Sequence, residues 1–254
     1  MPAGADWIDW SVKRVVGTRQ ADGQILPDRA SIQIDGSGAL DVERARAEAT
    51  LTSLRPLTDE QFVHPYLGAV AAVVSRWWGR PSFHSAAFVL DGGAWGVLGD
   101  PGRGKSTLVA ALAAEGLGVI CDDLLVVRDG FALAGPRCVD LREDAARAIG
   151  KGHSVGVIGA RERWRMPLSS VPPETPMRGW VTLTWADSVS TERVGPADRL
   201  RRLTDNVTIV PGPPSPSDLL DLAALPMIEL ARPRALDNLT ERHERLIAAC
   251  AAAG

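Results

Sequence analysis

The stretch GDPGRGKS, Gly99 to Ser106, constrains this chain more than any other. It satisfies the GxxxxGK[ST] phosphate-loop pattern in full. The apolar strand GAWGVL leads in, and an Ala/Leu-rich helix from Thr107 to Glu115 leads out. That order demands a strand–loop–helix unit and hence an α/β fold. Gly99, Gly102 and Gly104 reach backbone conformations closed to residues with a Cβ, so the loop amides converge on phosphate oxygens at a helix N-terminus. Lys105 supplies a compact positive charge to the β- and γ-phosphates, and Ser106 offers a hydroxyl to Mg²⁺. The expected nucleotide-binding stretch is Gly99, Asp100, Pro101, Gly102, Arg103, Gly104, Lys105, Ser106 and Thr107. Of 28 basic residues only Lys13, Lys105 and Lys151 are lysines.

Asp122 and Asp123 follow the helix after one turn, in an apolar run from Gly118 to Val127 that reads as one buried strand. Charge in a core strand is costly. The carboxyl ends of strands in open α/β sheets are where ligands sit, so the pair is expected to divide labour there. One acid would serve Mg²⁺, the other would accept the proton of an attacking hydroxyl.

The remaining chain is read from its periodicity. DWIDWSVKRVVG and SIQIDG alternate as half-buried strands do. Residues 41–54, rich in Ala, Glu and Arg, are expected to be helical, and so is the segment from about Gln61 to Trp78, with Pro65 near its start. Asp91-Gly92-Gly93 and Arg128-Asp129-Gly130 mark hairpins, and Leu141 to Ile149 reads as a helix. Four glycines and four prolines between 150 and 178 predict a mobile, irregular segment, with Arg161, Arg163 and Arg165 around Trp164 either a basic edge strand or a grip on an acidic peptide. WVTLTWAD from Trp180 is a strand. Pro196 to Asp205 is a helix ringed by Arg193, Arg199, Arg201 and Arg202, any of which would serve a transferring phosphoryl group. A Pro-rich connector spans Pro211 to Pro216, a short helix starts at Ser217, and Asp237 caps a final helix.

The 254 residues are 45% hydrophobic with a net charge of −3, giving no drive toward nucleic acid or an anionic membrane. No apolar run is long enough to span a bilayer. The acidic start MPAGADWIDW does not read as a signal peptide. Cys121, Cys138 and Cys250 form no disulfide framework, which makes a reducing, cytoplasmic setting the expectation. A homo-oligomer is compatible with the composition.

The string HSAAFVLDGGAWGVLGDPGRGKSTLVAALAAEGLGVICDDLLVV, from His84, resembles the catalytic core of the HPr serine kinase family. In that family a His opens the strand pair, the phosphate loop follows and an Asp pair lies on the next strand. The match covers His84, Gly99, Gly104, Lys105, Ser106, Asp122 and Asp123. Pro101 stands where the family usually has serine. The resemblance implies an α/β P-loop kinase with a mixed sheet and flanking helices, divided into an N-terminal appendage (1–80) and a catalytic domain (81–254). It implies ATP and Mg²⁺ as cofactors and an Asp pair that serves Mg²⁺ and proton transfer, with His84 beside the base; of the two acids we take Asp122 as base, and Asp123 with Ser106 on the metal. The chain is similar to short members, some of which phosphorylate a serine of ribosomally made precursor peptides, including lasso-peptide precursors. The implied partner is therefore a peptide or small-protein acceptor. A small-molecule kinase and a nucleotide-binding adaptor without transfer are the other readings.

Overall fold

A computed structural model describes residues 10–34, 38–158, 161–208, 215–237 and 239–253. Near the start, β1 (Ser11–Val16), β2 (Arg29–Ile34), β3 (Gly38–Glu43) and β4 (Glu48–Ser53) form a four-stranded sheet of order β1-β4-β3-β2. The helix expected over 41–54 is instead the antiparallel β3–β4 hairpin. Local composition favours a helix, but Leu40, Val42 and Ala49 fall on one face and are buried against Val70, Val73 and Val74. Tertiary pairing and period-two burial override local propensity here.

The helix expected over 61–78 breaks at Pro65. A single turn, α1 (Asp59–Gln61), carries a capping box from Thr58. It runs into a wide turn over Phe62–Tyr66, and α2 (Leu67–Trp77) begins only after it. His64 takes extended dihedrals, φ −145° and ψ 127°, as a residue preceding proline prefers. Its side chain is buried in consequence.

Then come β5 (Ser82–Phe83), β6 (Ala86–Leu90) and β7 (Gly93–Leu98), the last two joined as the expected hairpin. α3 (Lys105–Ala114) leads to β8 (Val119–Cys121). The single strand expected over 118–127 is two strands. The chain turns through Asp122 and Asp123, with Asp123 at φ 68°, before entering β9 (Leu125–Arg128). β8 pairs with β6, whereas β9 pairs with β5 and with β10 (Phe131–Leu133). Leaving the strand at the acids lets the Asp123 carboxylate reach solvent, while Asp122 stays buried and is held by the Ser106 hydroxyl.

β11 (Cys138–Leu141), α4 (Glu143–Ile149), β12 (His153–Ile158) and β13 (Arg161–Pro167) follow. Here the expectation of an irregular segment fails, because β12 and β13 form an antiparallel hairpin within a sheet of order β11-β13-β12. The glycines sit at its margins. Gly150 ends α4 in the left-handed conformation, and Gly156 lies in a bulge of β12.

The chain finishes with β14 (Glu174–Trp185), β15 (Ser190–Arg193), α5 (Pro196–Thr204), α6 (Pro216–Ala224), β16 (Met227–Arg232) and α7 (Leu239–Ala251). The Pro-rich connector over 211–216 lies largely outside the described residues, as does residue 238 at the start of α7. The main sheet has nine strands, ordered β5-β9-β10-β14-β7-β6-β8, with β16 also on β14 and β15 on β16. β14 is antiparallel to β10 and parallel to β7 and β16. One face is covered by α3, α4 and α7, the other by α5 and α6. The architecture is therefore a mixed α/β sheet with flanking helices, as expected. No helix among the described residues is long and apolar enough to cross a membrane.

β7 and β14 interlock at one place. Trp95 lies opposite Gly179, and Gly96 opposite Trp180. A Cβ on either glycine would collide with the facing indole. Each strand thus gives up a side chain so that its neighbour can bury a tryptophan.

Candidate active site

β7 and β8 both run antiparallel to β6, which lies between them, so their carboxyl ends share one edge. β7 ends in the glycine-rich loop and β8 ends in the Asp pair. Gly102 (φ 83°) and Gly104 (φ 81°) hold left-handed backbone, and Gly104 is the N-cap of α3. At Gly104 there is also no room for a Cβ, which would lie 2.9 Å from the Arg232 guanidinium. Arg232, buried and stacked on Trp185, donates to the carbonyls of Arg103 (2.9 Å) and Gly104 (3.3 Å). Burial, reinforced by the charge of Arg242, pushes its pKa down to about 10. It remains a cation beneath the loop.

Lys105 Nζ donates to the Gly99 carbonyl at 2.5 Å. Burial lowers its pKa against the opposing pull of Asp123, Asp122 and Asp100. Ser106 Oγ donates to Asp122 Oδ1 at 2.8 Å, and the Asp140 amide lies 3.4 Å from Asp122 Oδ2. Asn206 ties two parts together, since its Oδ1 accepts from Gly99 N (3.3 Å) and its carbonyl from His84 N (2.8 Å).

The two acids differ. Asp122 is buried, and burial followed by the neighbouring Asp123 charge raises its pKa, opposed by His64 and Ser106. The Asp123 side chain is 40% exposed and turned by its left-handed backbone. Its partial burial acts against the charged form, but His64 outweighs that through hydrogen bonding and charge, helped by His84 and Arg163, and holds the pKa low. His64 Nε2 lies 3.3 Å from Asp123 Oδ2 and 3.9 Å from Asp140 Oδ2. Burial resists its protonation, yet Asp123, Asp140 and Asp122 raise its pKa on balance. His84, half-buried, is lowered by burial and by the charge of Lys105.

Asp140 and Arg165 hold this arrangement in place. Arg165 Nε and Nη2 bind the two Asp140 oxygens at 2.7 and 2.9 Å. The same guanidinium donates to the carbonyls of His64 (2.9 Å) and Glu60. A buried ion pair on β11 and β13 therefore clamps the turn that carries His64 against the sheet edge.

Of the residues expected from the sequence, His84, Pro101, Gly102, Gly104, Lys105, Ser106, Thr107 and Asp123 line one cleft of about 380 Å³. Asp122 lies beneath it on Ser106. Asp100 and Arg103 pair with each other at 3.4 Å on the loop. Arg161 and Arg163 line the cleft, while Arg165 turns to Asp140. β13 is thus an interior strand of its sheet, not a basic edge. Arg193, Arg199, Arg201 and Arg202 do not line the cleft; they bind Ala252 O, the Val194 and Leu225 carbonyls, Asp198, and Glu229 respectively.

Sequence reasoning missed His64, Asp140 and Arg232 as parts of the site, and singled out Arg165 without its role as the partner of Asp140. A His-Pro step within an apparent helix and an acid inside the apolar strand CVDL were the available signals. Asp122, Asp123 and His64 offer ligand atoms within 4.8 Å of one another. The same three residues close one end of a second cavity, of about 650 Å³, with mostly apolar walls.

No protein-family model and no curated protein sequence matches the chain. Among solved structures it is similar to the HPr(Ser) kinase/phosphatase from Coxiella burnetii, at 13% identity and a TM-score of 0.33, over 68% of this chain and 99% of that one.

Proposed function

We propose that this protein is a kinase that transfers the γ-phosphoryl group of ATP to a Ser or Thr hydroxyl of a peptide or small protein, with residues 81–254 as the catalytic unit and 1–80 as an appendage. The observation that carries the reading is the Ser106–Asp122 hydrogen bond at 2.8 Å. It joins the phosphate-loop hydroxyl to the first acid and leaves the second acid, Asp123, facing the same cleft as Lys105.

The residues present fit a nucleoside triphosphate with a divalent cation. The left-handed glycines leave the loop amides free of Cβ obstruction, and a hydroxyl and a buried carboxylate converge where a hard cation needs oxygen donors. Ser106 and Asp122 would hold Mg²⁺, which supplies neutralisation of phosphate charge when bound. This exchanges the roles expected for the two acids from the sequence, and the burial difference between them is the reason.

Asp123 is the proposed base. Its pKa is held low, so it is ionised at neutral pH, and it is the more accessible of the two acids. The acceptor hydroxyl gives its proton to the Asp123 carboxylate as its oxygen bonds to the γ-phosphorus. The bond from that phosphorus to the β–γ bridging oxygen breaks, leaving ADP. Lys105, Arg161 and Arg163 face the charge that develops on the phosphoryl oxygens. His84, with its pKa lowered, is neutral at pH 7 and orients Asp123 without competing for phosphate. His64 fixes Asp123 from the other side.

The test is transfer of labelled phosphate from γ-labelled ATP to peptide pools, with Mg²⁺, by wild type and by Asp123→Asn. Transfer that is Mg²⁺-dependent and lost in the variant supports the reading. ATP turnover untouched by Asp123→Asn would remove Asp123 from the chemistry.

A further inference from the structure

The second cavity adjoins Asp123 from the side away from the phosphate loop. Its volume, about 650 Å³, lies in the range of pockets that bury a whole small ligand or a few side chains. Ile32, Ile34, Leu67, Val126 and Leu133 contribute apolar walls, and His64, Asp122 and Asp123 are its acidic and imidazole end. A hydroxyl reaching Asp123 through this cavity leaves the other cleft to the nucleotide. A strongly hydrated acceptor would have to shed water against apolar walls with few groups to replace it.

One wall identifies the class of occupant. β2 is an edge strand of its sheet. Among the described residues its outer side meets the segment 21–26, through the Ile25–Ala30 bridge, the bonds from Leu26 N to the Arg29 carbonyl and from Ser31 N to the Gln24 carbonyl, and the bond from Ala21 N to Gln33 Oε1. Among the described residues no strand pairs there with Ile32, Gln33 or Ile34. Successive strand residues point to opposite faces. Three in a row line this cavity, so the cavity runs along the strand's edge. Past Ser31 that edge offers backbone hydrogen bonds to an extended chain, which a small alcohol has no means to use.

We propose that the acceptor is an extended peptide that pairs with the edge of β2 at Ile32–Ile34 and places a bulky apolar side chain, next to its Ser or Thr, in the 650 Å³ cavity. This rests on the kinase reading above and gives the N-terminal appendage its task, that of selecting the acceptor.

The experiment measures peptide binding by fluorescence polarisation without nucleotide, so that it stands apart from transfer. Two fluorescein-labelled pools carry one Ser flanked either by Leu, Ile and Phe or by Asn, Asp and Lys. Burial of one large apolar side chain corresponds to about ten- to a hundredfold in affinity, and the apolar pool is expected to bind tighter by that factor. Gly68 lines the cavity on α2, and a Cβ added there meets nothing within 4 Å. Gly68→Trp therefore adds its Cβ without a clash and is expected to weaken apolar-pool binding about tenfold or more, with nucleotide affinity unchanged. N-methylation of the peptide amides, tested on the wild-type protein, is expected to weaken binding by a similar factor. Equal affinity for the two pools, or binding indifferent to both Gly68→Trp and N-methylation, overturns the proposal. So does transfer to aliphatic alcohols with none to peptides. Failure of the kinase reading shows separately, as nucleotide binding that survives Lys105→Ala intact.

Discussion

On one side of Asp123 the cleft is walled by Lys105, Arg161 and Arg163; on the other it is walled by Ile32, Ile34, Leu67 and Leu133. The first takes its lysine from a single loop between one strand and one helix, and its two arginines from β13. The second gathers residues from β2, α2, β9 and β10, which meet only in the folded chain. A polar site for a charged, common ligand needs fixed backbone donors, and a short contiguous loop supplies them. An apolar site for a chosen partner needs shape, and shape comes from packing distant elements together. Only the Asp122–Asp123 turn belongs to both sides, and there the two requirements meet in two carboxylates with different surroundings.

The largest effect should come from the polar side. Lys105→Ala removes the loop's point charge, and phosphoryl transfer is expected to fall by about a hundred- to a thousandfold, with circular dichroism unchanged. Equal turnover in the variant would break the contrast at its root. Asp123→Asn comes next, with transfer down by about a hundredfold or more while ATP affinity holds. Asp122→Asn should instead raise the Mg²⁺ concentration needed for half-maximal rate. If the two variants exchange phenotypes in a metal titration, the acids have been assigned the wrong way round.

The clamp between the sides is tested by stability. Arg165→Met removes the two-point partner of the buried Asp140 carboxylate, leaving only Arg163 at 3.7 Å and His64 at 3.9 Å, and should cost about 3 kcal/mol in denaturant unfolding, as breaking buried pairs does. A loss below about 1 kcal/mol would mean that Arg163 and His64 suffice to neutralise Asp140 and that the clamp does not depend on Arg165. The smallest effect is a pH slope in the metal-free protein. Asp122 has a raised pKa in the fold, so the unfolded chain loses that proton first as pH rises. Its contribution to stability therefore falls from the ordinary carboxylate range toward neutrality. Thermal melts in chelator should show a shallower decline over that range for Asp122→Asn than for wild type.

The phosphate-loop side was legible from sequence because its determinants are contiguous. Eight residues carry the motif, and a strand and a helix flank it in the structure. His64 was not legible, because its neighbours have a helical pattern and only the fold brings it to Asp123. The β3–β4 hairpin was hidden by helix-forming residues whose fate is decided by pairing with β2. Asp122 and Asp123 were found, but not the turn that separates their environments, since a left-handed aspartate leaves no trace in composition. Arg165 was noticed as one of three alternating arginines. Its partner, Asp140, lies 25 positions away on another strand.

The exchange of tryptophan for glycine between β7 and β14 bears on how such a chain drifts over generations. Neither glycine tolerates enlargement while the opposite indole stays, and loss of an indole alone leaves a void beneath the strand that carries the phosphate loop. Positions 95 and 179, and positions 96 and 180, should accordingly change in pairs. Divergent copies that gain bulk at one position should show a compensating loss at its mate. A library randomised at all four positions and selected for folding should return reciprocal large–small combinations far more often than independent choice would give.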